Sequence, residues 1–267
     1  MTNMHCGAPL RTGWIRRYHQ PADDDLTLVC FAHAGGAATA YFSLSAALSA
    51  SADVLVVQYP GRQDRLNEPA VTDLRQLADR IVTALEPWRD RSLAFFGHSM
   101  GAIVAYEVAL RMERGQGAGP VGLIVSGSTA PSLQRDAGVH LMNDEELTAQ
   151  MAQLAGTPPA LLADEDFLAT VLPSMRSDFT AMETYKDTAG SKLSCPISGY
   201  AADRDPRVSC EGLLTWGEYT TAGLTIEIFE GDHFYLHSPE QEQKVTRCLT
   251  RDLAAFTRHA AARPRSV

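Results

Sequence analysis

The strongest constraint in this chain is an alternation: short, largely apolar runs separated by segments with helical spacing. The runs are Leu26–Ala32, Val54–Tyr59, Leu93–Gly97, Val121–Ser126, Cys195–Ala202 and Leu224–Phe229. A strand that is apolar at every position is buried on both faces. That requires helices on either side of a mostly parallel, doubly wound α/β sheet. Helices are expected at Tyr41–Ala50, Asp73–Trp88, Ser99–Met112 and Ser238–His259. In the second of these, Leu74, Leu77, Ile81, Val82 and Leu85 share one face, and Thr72 or Asp73 can cap its start. Ligands on such sheets bind beyond the carboxyl ends of the strands, so the chemistry is sought in the loops that follow the runs.

One stretch breaks the alternation. Residues Pro131 to Lys192 carry no strand pattern; they are rich in Leu, Ala and Met, with a Pro158-Pro159 break. An insertion of this length is more than a connection. It is predicted to be a helical lid, about 131–192, over the active-site face of a single domain spanning 1–267. An extra packing layer is the alternative. Its apolar residues Leu161, Leu162, Phe167, Leu168, Leu172, Met175 and Phe179 are candidates to line a pocket, with Leu172, Met175 and Phe179 singled out.

Of the 267 residues, 45% are hydrophobic and 21% charged, enough apolar side chain for a sizeable core. No apolar stretch approaches a membrane span of roughly 18 residues. A net charge of -9 argues against a nucleic-acid surface. The polar segment Met1–Leu10 has no apolar signal region, and the tail Ala260–Val267 is expected to fray. The five cysteines form no C-x-x-C pair, and Cys30 and Cys195 sit in apolar runs as core residues. A reducing, cytoplasmic setting is expected.

Gly97-His98-Ser99-Met100-Gly101 lies between an apolar strand and a helix. The G-x-S-x-G pattern alone is weak; its strand–turn–helix setting makes it a nucleophile elbow. The turn lifts the Ser99 hydroxyl above the sheet, and Gly97 and Gly101 let strand and helix approach. A serine needs an imidazole base, and the base needs an orienting carboxylate. Of eight histidines, His233 alone directly follows a late strand, in Gly231-Asp232-His233-Phe234, with His237 a weaker candidate. His5, His19, His140 and His259 lie off the strand ends, His98 adjoins Ser99 and points elsewhere, and His33 belongs to an early loop. A metal pair at His233 and His237 fits by spacing but lacks a third ligand; neither metal nor cofactor is expected. The acid belongs in Asp203-Arg204-Asp205-Pro206-Arg207, where Asp205, before proline, is held extended and favoured over Asp203. The order Ser, Asp, His is that of α/β-hydrolases. Met100 offers one oxyanion N–H at the elbow. The glycine-containing loop His33-Ala34-Gly35-Gly36 offers the second, assigned to Ala34.

With these residues in view, the chain resembles the type II, or editing, thioesterases that accompany polyketide and nonribosomal peptide synthases. The resemblance rests on FAHAGG at Phe31–Gly36, QYPGR at Gln58–Arg62, FFGHSMG at Phe95–Gly101, DRDPRV at Asp203–Val208 and GDHFYL at Gly231–Leu236. It spans nearly all of the chain, from about Gly13. It implies an α/β-hydrolase fold, a Ser99–Asp205–His233 triad with Ala34 and Met100 as oxyanion donors, and removal of aberrant acyl groups from the phosphopantetheine arm of an acyl or peptidyl carrier protein. Ala32 and Ala202 stand where the family often has Pro and Gly. Another serine esterase, an acyltransferase, or a non-catalytic carrier-binding scaffold are the rival readings. A cyclising or transferring relative is expected at the tail of a synthase, whereas a chain opening at Met1 is expected to act separately. Because the protein is acidic, an acidic carrier must meet local cations. Arg62 and Arg65, and secondarily Arg204 and Arg207, are the candidates, unless Asp64, Glu68, Asp203 or Asp205 neutralise them.

Overall fold

In the computed structural model the described residues are 13–22, 25–115, 119–154, 156–187 and 191–262. The Met1–Leu10 segment and the end of the tail lie outside them. Seven strands form one sheet in the order β1-β3-β2-β4-β5-β6-β7. They are β1 (Ile15–Arg16), β2 (Leu26–Phe31), β3 (Asp53–Val57), β4 (Ser92–His98), β5 (Gly122–Ser126), β6 (Ile197–Ala202) and β7 (Leu224–Phe229). All neighbours run parallel except β1, which pairs antiparallel with β3 through Ile15 and Val57. A two-residue strand is too short to show a periodicity, and β1 has no counterpart in the sequence reading.

The helices are α1 (Phe42–Leu48), α2 (Leu74–Leu85), α3 (Met100–Arg114), α4 (Asp144–Gln153), α5 (Pro159–Leu162), α6 (Glu165–Glu183), α7 (Cys210–Leu214) and α8 (Pro239–Ala262). The expected face of α2 is buried, and Asp73 caps it by accepting the Gln76 N–H. Strands β2 to β6 are buried almost throughout, which is what burial by helices on both faces demands. β7 departs from that expectation: as an edge strand it leaves Ile226 and Ile228 over a third exposed. No helix among the described residues is long and apolar enough to cross a membrane.

α4, α5 and α6 all lie in the insertion between β5 and β6. With the preceding turn Val139–Leu141 they build a small core from Val139, Leu147, Met151, Leu172 and Phe179, separate from the main core around the sheet. α4 carries a full capping box: Asn143 accepts from the Glu146 N–H and Glu146 from the Asn143 N–H.

Candidate active site

The chain enters the site where β4 ends. Ser99 has φ 54° and ψ -119°, a left-handed backbone that few side-chain-bearing residues adopt. The strain is held by neighbours. A Cβ on Gly97 would lie 2.1 Å from the Gly101 carbonyl oxygen, and one on Gly101 would lie 2.0 Å from that of Phe31. Strand β4 and helix α3 therefore close on backbone alone. The Ser99 N–H donates to the Ser126 carbonyl across 2.8 Å, fixing the elbow to β5. Met100 begins α3, so its N–H has no carbonyl one turn back to receive it.

The loops after β6 and β7 meet beside this turn. His233 Nδ1 donates to Asp205 Oδ2 across 2.8 Å, with both side chains at most 1% exposed. The other carboxylate oxygen of Asp205 accepts the Arg207 N–H at 2.9 Å. This pairing leaves His233 Nε2 as the ring nitrogen available to a serine proton. Asp203 instead accepts the Gly231 N–H at 2.9 Å, joining the two loops from the surface. The geometry thus separates the two carboxylates that the sequence left close together.

Other histidines surround the base. His98 is buried, its Nδ1 2.9 Å from Ser126 Oγ, which in turn lies 2.7 Å from the Tyr235 hydroxyl. The His98 ring sits 5.0 Å from that of His233, and the His33 ring packs 4.9 Å from Phe234. Burial, followed by nearby histidines, pushes the His98 imidazole well below its ordinary pKa. The same causes, with Arg62 added, bring His33 down to about 3. Both rings are neutral at physiological pH and serve as packing and hydrogen-bonding groups. His237 contributes ring contacts with His33 and Phe234.

A cavity of about 400 Å³ opens onto the serine and runs beneath the insertion. Ser99, His233, His33, Ala34 and Gly35 line one side. Met151, Leu154, Phe167, Val171, Met175 and Phe179 supply much of the apolar wall opposite. Met175 and Phe179 are therefore cavity residues. Leu172 is not: it turns into the core of the insertion, because on α6 it faces Leu147 and Met151 rather than the sheet. Leu162 and Leu168 also pack on that small core, and Leu161 is exposed. Met151, Leu154 and Phe234 were not identified from sequence, since only the fold brings α4 and the histidine loop over the serine.

The two arginines expected at the rim are both turned inward, and of the two only Arg62 lines the cavity. Arg62 is buried and forms a two-pronged ion pair with Asp178 of α6, both contacts 2.8 Å. Its partner lies more than a hundred residues away, outside the local carboxylates considered from sequence. Arg65 is buried too: it pairs with Glu68, stacks 4.1 Å over the Trp14 ring and does not line the cavity. Both guanidinium groups are thus turned inward, each 6% exposed. Arg204 is exposed beside Asp203. Arg207 lines the cavity, its guanidinium 5.6 Å from the Phe179 ring, with no carboxylate in ion-pair distance among the described residues.

Among the described residues one cluster has metal-ligating residue types, Asp136, His140 and Glu183. The Glu183 carboxylate is already filled, since Oε1 accepts the N–H of Ala137 and Val139 and Oε2 accepts two nitrogens of His140. Its role is to fasten the 136–140 loop to α6.

Fold and elbow together define the α/β-hydrolase class. Within it the family is specific: the thioesterase domain family matches residues 26–253, and the chain belongs to it. Thioesterase PikA5 of Streptomyces venezuelae is 43% identical over 230 residues, covering 86% of this chain and 82% of that protein. The type II thioesterase BorB from the borrelidin biosynthetic cluster has a solved structure with a TM-score of 0.83 and 40% identity, covering 90% of this chain and 97% of BorB. RedJ, a thioesterase of the prodiginine pathway in Streptomyces coelicolor, has been solved with a polyethylene glycol in its active site. That structure has a TM-score of 0.81 and 33% identity, covering 87% of this chain and 95% of RedJ.

Proposed function

We propose that this protein hydrolyses acyl groups from the phosphopantetheine arm of carrier proteins that serve a polyketide or nonribosomal peptide synthase. The observation that carries the reading is the buried Asp205–His233 pair opening, with the strained Ser99, onto one apolar cavity. Ser99 Oγ attacks the thioester carbonyl while His233 Nε2 takes its proton. The N–H groups of Met100 and Ala34 receive the oxyanion. The C–S bond breaks, the proton passes to the departing thiolate, and an acyl-serine remains. Water, deprotonated by His233, then releases the acid and frees Ser99. A thiol leaves more readily than an alcohol because its pKa, near 8.5, is far lower. The chemistry needs only these groups, and discrimination falls to binding. A long, flexible polymer in the RedJ site fits a cavity shaped for an extended arm or acyl chain.

The insertion acts as a lid in this reading, and the domain is a single unit, 1–267, that includes it. Carrier recognition is assigned to Arg207, the cavity-lining guanidinium left without a carboxylate partner. It would take the phosphate of the arm in place of Arg62 and Arg65. The assignment is tested with one acyl group presented on a carrier, on coenzyme A and on a short thiol. Arg207→Ala is expected to lower kcat/KM for the two phosphate-bearing substrates by about tenfold or more. The short thiol should be unaffected, and equal loss on all three would reject the phosphate contact.

Intact-mass measurement tests the chemistry itself. Incubation with a slowly hydrolysed acyl carrier should add one acyl mass at Ser99, and none in Ser99→Ala. A label on Cys210 instead, which is exposed and a competing nucleophile, would reject the mechanism. Binding of the carrier without any hydrolysis would favour the scaffold reading.

A further inference from the structure

The loop that carries the second oxyanion donor is held from above, by the insertion. Asp178 sits on the buried half of α6, 2% exposed, and no solvent path satisfies its carboxylate. Oδ2 accepts the Gly35 N–H at 2.7 Å and one Arg62 nitrogen at 2.8 Å; Oδ1 accepts the other Arg62 nitrogen at 2.8 Å. The Arg62 nitrogen bound to Oδ2 also donates to the Gly36 carbonyl at 2.9 Å. One carboxylate and one guanidinium therefore bind both glycines of the His33–Gly36 loop.

A second contact from the same helix falls on the same residue. Gly35 has φ 72°, and a Cβ there would lie 2.6 Å from Met175 Cε. Met175 is one helical turn from Asp178 and lines the acyl side of the cavity. Side-chain packing and a charged hydrogen bond thus converge on Gly35 from one face of α6.

We propose that Asp178 is a positioning residue through which the insertion sets the oxyanion loop: by engaging the Gly35 N–H it leaves Ala34 to donate to the oxyanion. The inference rests on the hydrolase reading above and adds to it a physical link between substrate wall and catalytic loop. Two adjacent N–H groups in a glycine-rich turn compete to face the serine. An N–H already committed to a buried carboxylate cannot also turn to a transient oxyanion. Displacing α6 would release Gly35 and leave the Arg62 charge unpaired. The competent loop therefore requires the helix in place.

Asp178→Asn keeps the size of the side chain but cannot accept from Gly35 and from both Arg62 nitrogens. Asp178→Glu keeps the charge for Arg62 but moves the carboxylate by a methylene away from its position under Gly35. Both are compared with wild type using a trifluoromethyl ketone that forms an oxyanion adduct on Ser99, and a thioether analogue of an acyl-pantetheine that does not. The expected result is about a hundredfold loss in kcat and in ketone affinity, the size of a lost oxyanion donor. KM and thioether affinity should stay within about threefold. Equal loss for both ligands, or none for either, overturns the proposal. If Asp178→Asn fails to fold, Asp178→Glu decides by the same criterion. Amide exchange at Gly35, followed by NMR in the resting protein, reads the clamp without turnover. Exchange unchanged by either variant rejects the clamp, whereas a wild-type protein that forms no ketone adduct rejects the hydrolase reading.

Discussion

Two aspartates in one loop differ by what each can reach. Asp205 has a carboxylate sealed from water and shared between the Arg207 N–H and His233. Asp203 spans to Gly231 at the surface, its side chain 44% exposed. Asp205→Asn removes the acceptor that fixes the His233 tautomer and stabilises the imidazolium formed during attack. Turnover is expected to fall roughly a thousandfold or more, with the fold retained. Asp203→Asn still accepts the Gly231 N–H and should cost less than about tenfold. Steady-state kinetics of the pair tests the assignment, and a larger loss at Asp203 reverses it.

At the scale of the element, α6 has two unlike halves. Pro173 interrupts it, deleting the N–H that would reach the Ala169 carbonyl. Beyond it, Ser174, Asp178, Phe179, Ala181 and Glu183 are buried. That half is tied down by Arg62, by the 136–140 loop through Glu183, and by Arg176 to Asp144. Before Pro173 only Leu172 is buried, so the half nearer α5 is the less firmly held. Substitutions on the two faces should separate accordingly. Met175→Trp or Phe179→Trp is expected to narrow the cavity and move kcat/KM toward short acyl groups. Leu172→Ala should instead cost about 2–5 kcal/mol of stability by opening a hole in the core of the insertion, with little change in chain-length profile. A panel of acyl carriers from acetyl upward, run with thermal melts, checks both. An unmoved profile in both tryptophan variants would remove α6 from the acyl wall.

For the molecule as a whole, the histidines packed around the site contribute to its response to acid. His33 and His98 have pKa values below the ordinary 6.5, chiefly through burial. Above pH 6.5 folded and unfolded chains are both neutral at these sites, and neither contributes. Below it the unfolded chain takes up protons that the folded one refuses, so stability falls as pH drops from about 6.5 toward 3. Each site can contribute a slope of up to about 1.4 kcal/mol per pH unit in that window. Tm should decline steeply from pH 6.5 to 4.5, and His98→Gln should start lower at pH 7.5 but decline less. A wild-type Tm that holds level across that range contradicts the burial argument. With a net charge of -9, the proposed acidic carrier would have to be met by local cations such as Arg207.

The sequence by itself determined what depends on local pattern. Mostly apolar runs marked the six longer strands because β2 to β6 are covered on both faces, with β7 the partly exposed edge. Gly97 and Gly101 marked the elbow because backbone-to-backbone contact tolerates no Cβ. That His233 and Asp205 would meet was legible because both stand in loops after strands, where the sheet brings loop ends together. The tertiary structure decided what depends on distant partners. Arg62 looked like a surface cation until α6 placed Asp178 against it, and Leu172 looked like a pocket residue until α4 turned it inward. The two-residue β1 exists only through its pairing with β3. Asp178 stands in the mixed segment Ser174–Glu183, one charge among several on its helix. Nothing in the spacing said that its partner would be the loop at Gly35, because a charge states its sign in the sequence and finds its counterpart only through the fold.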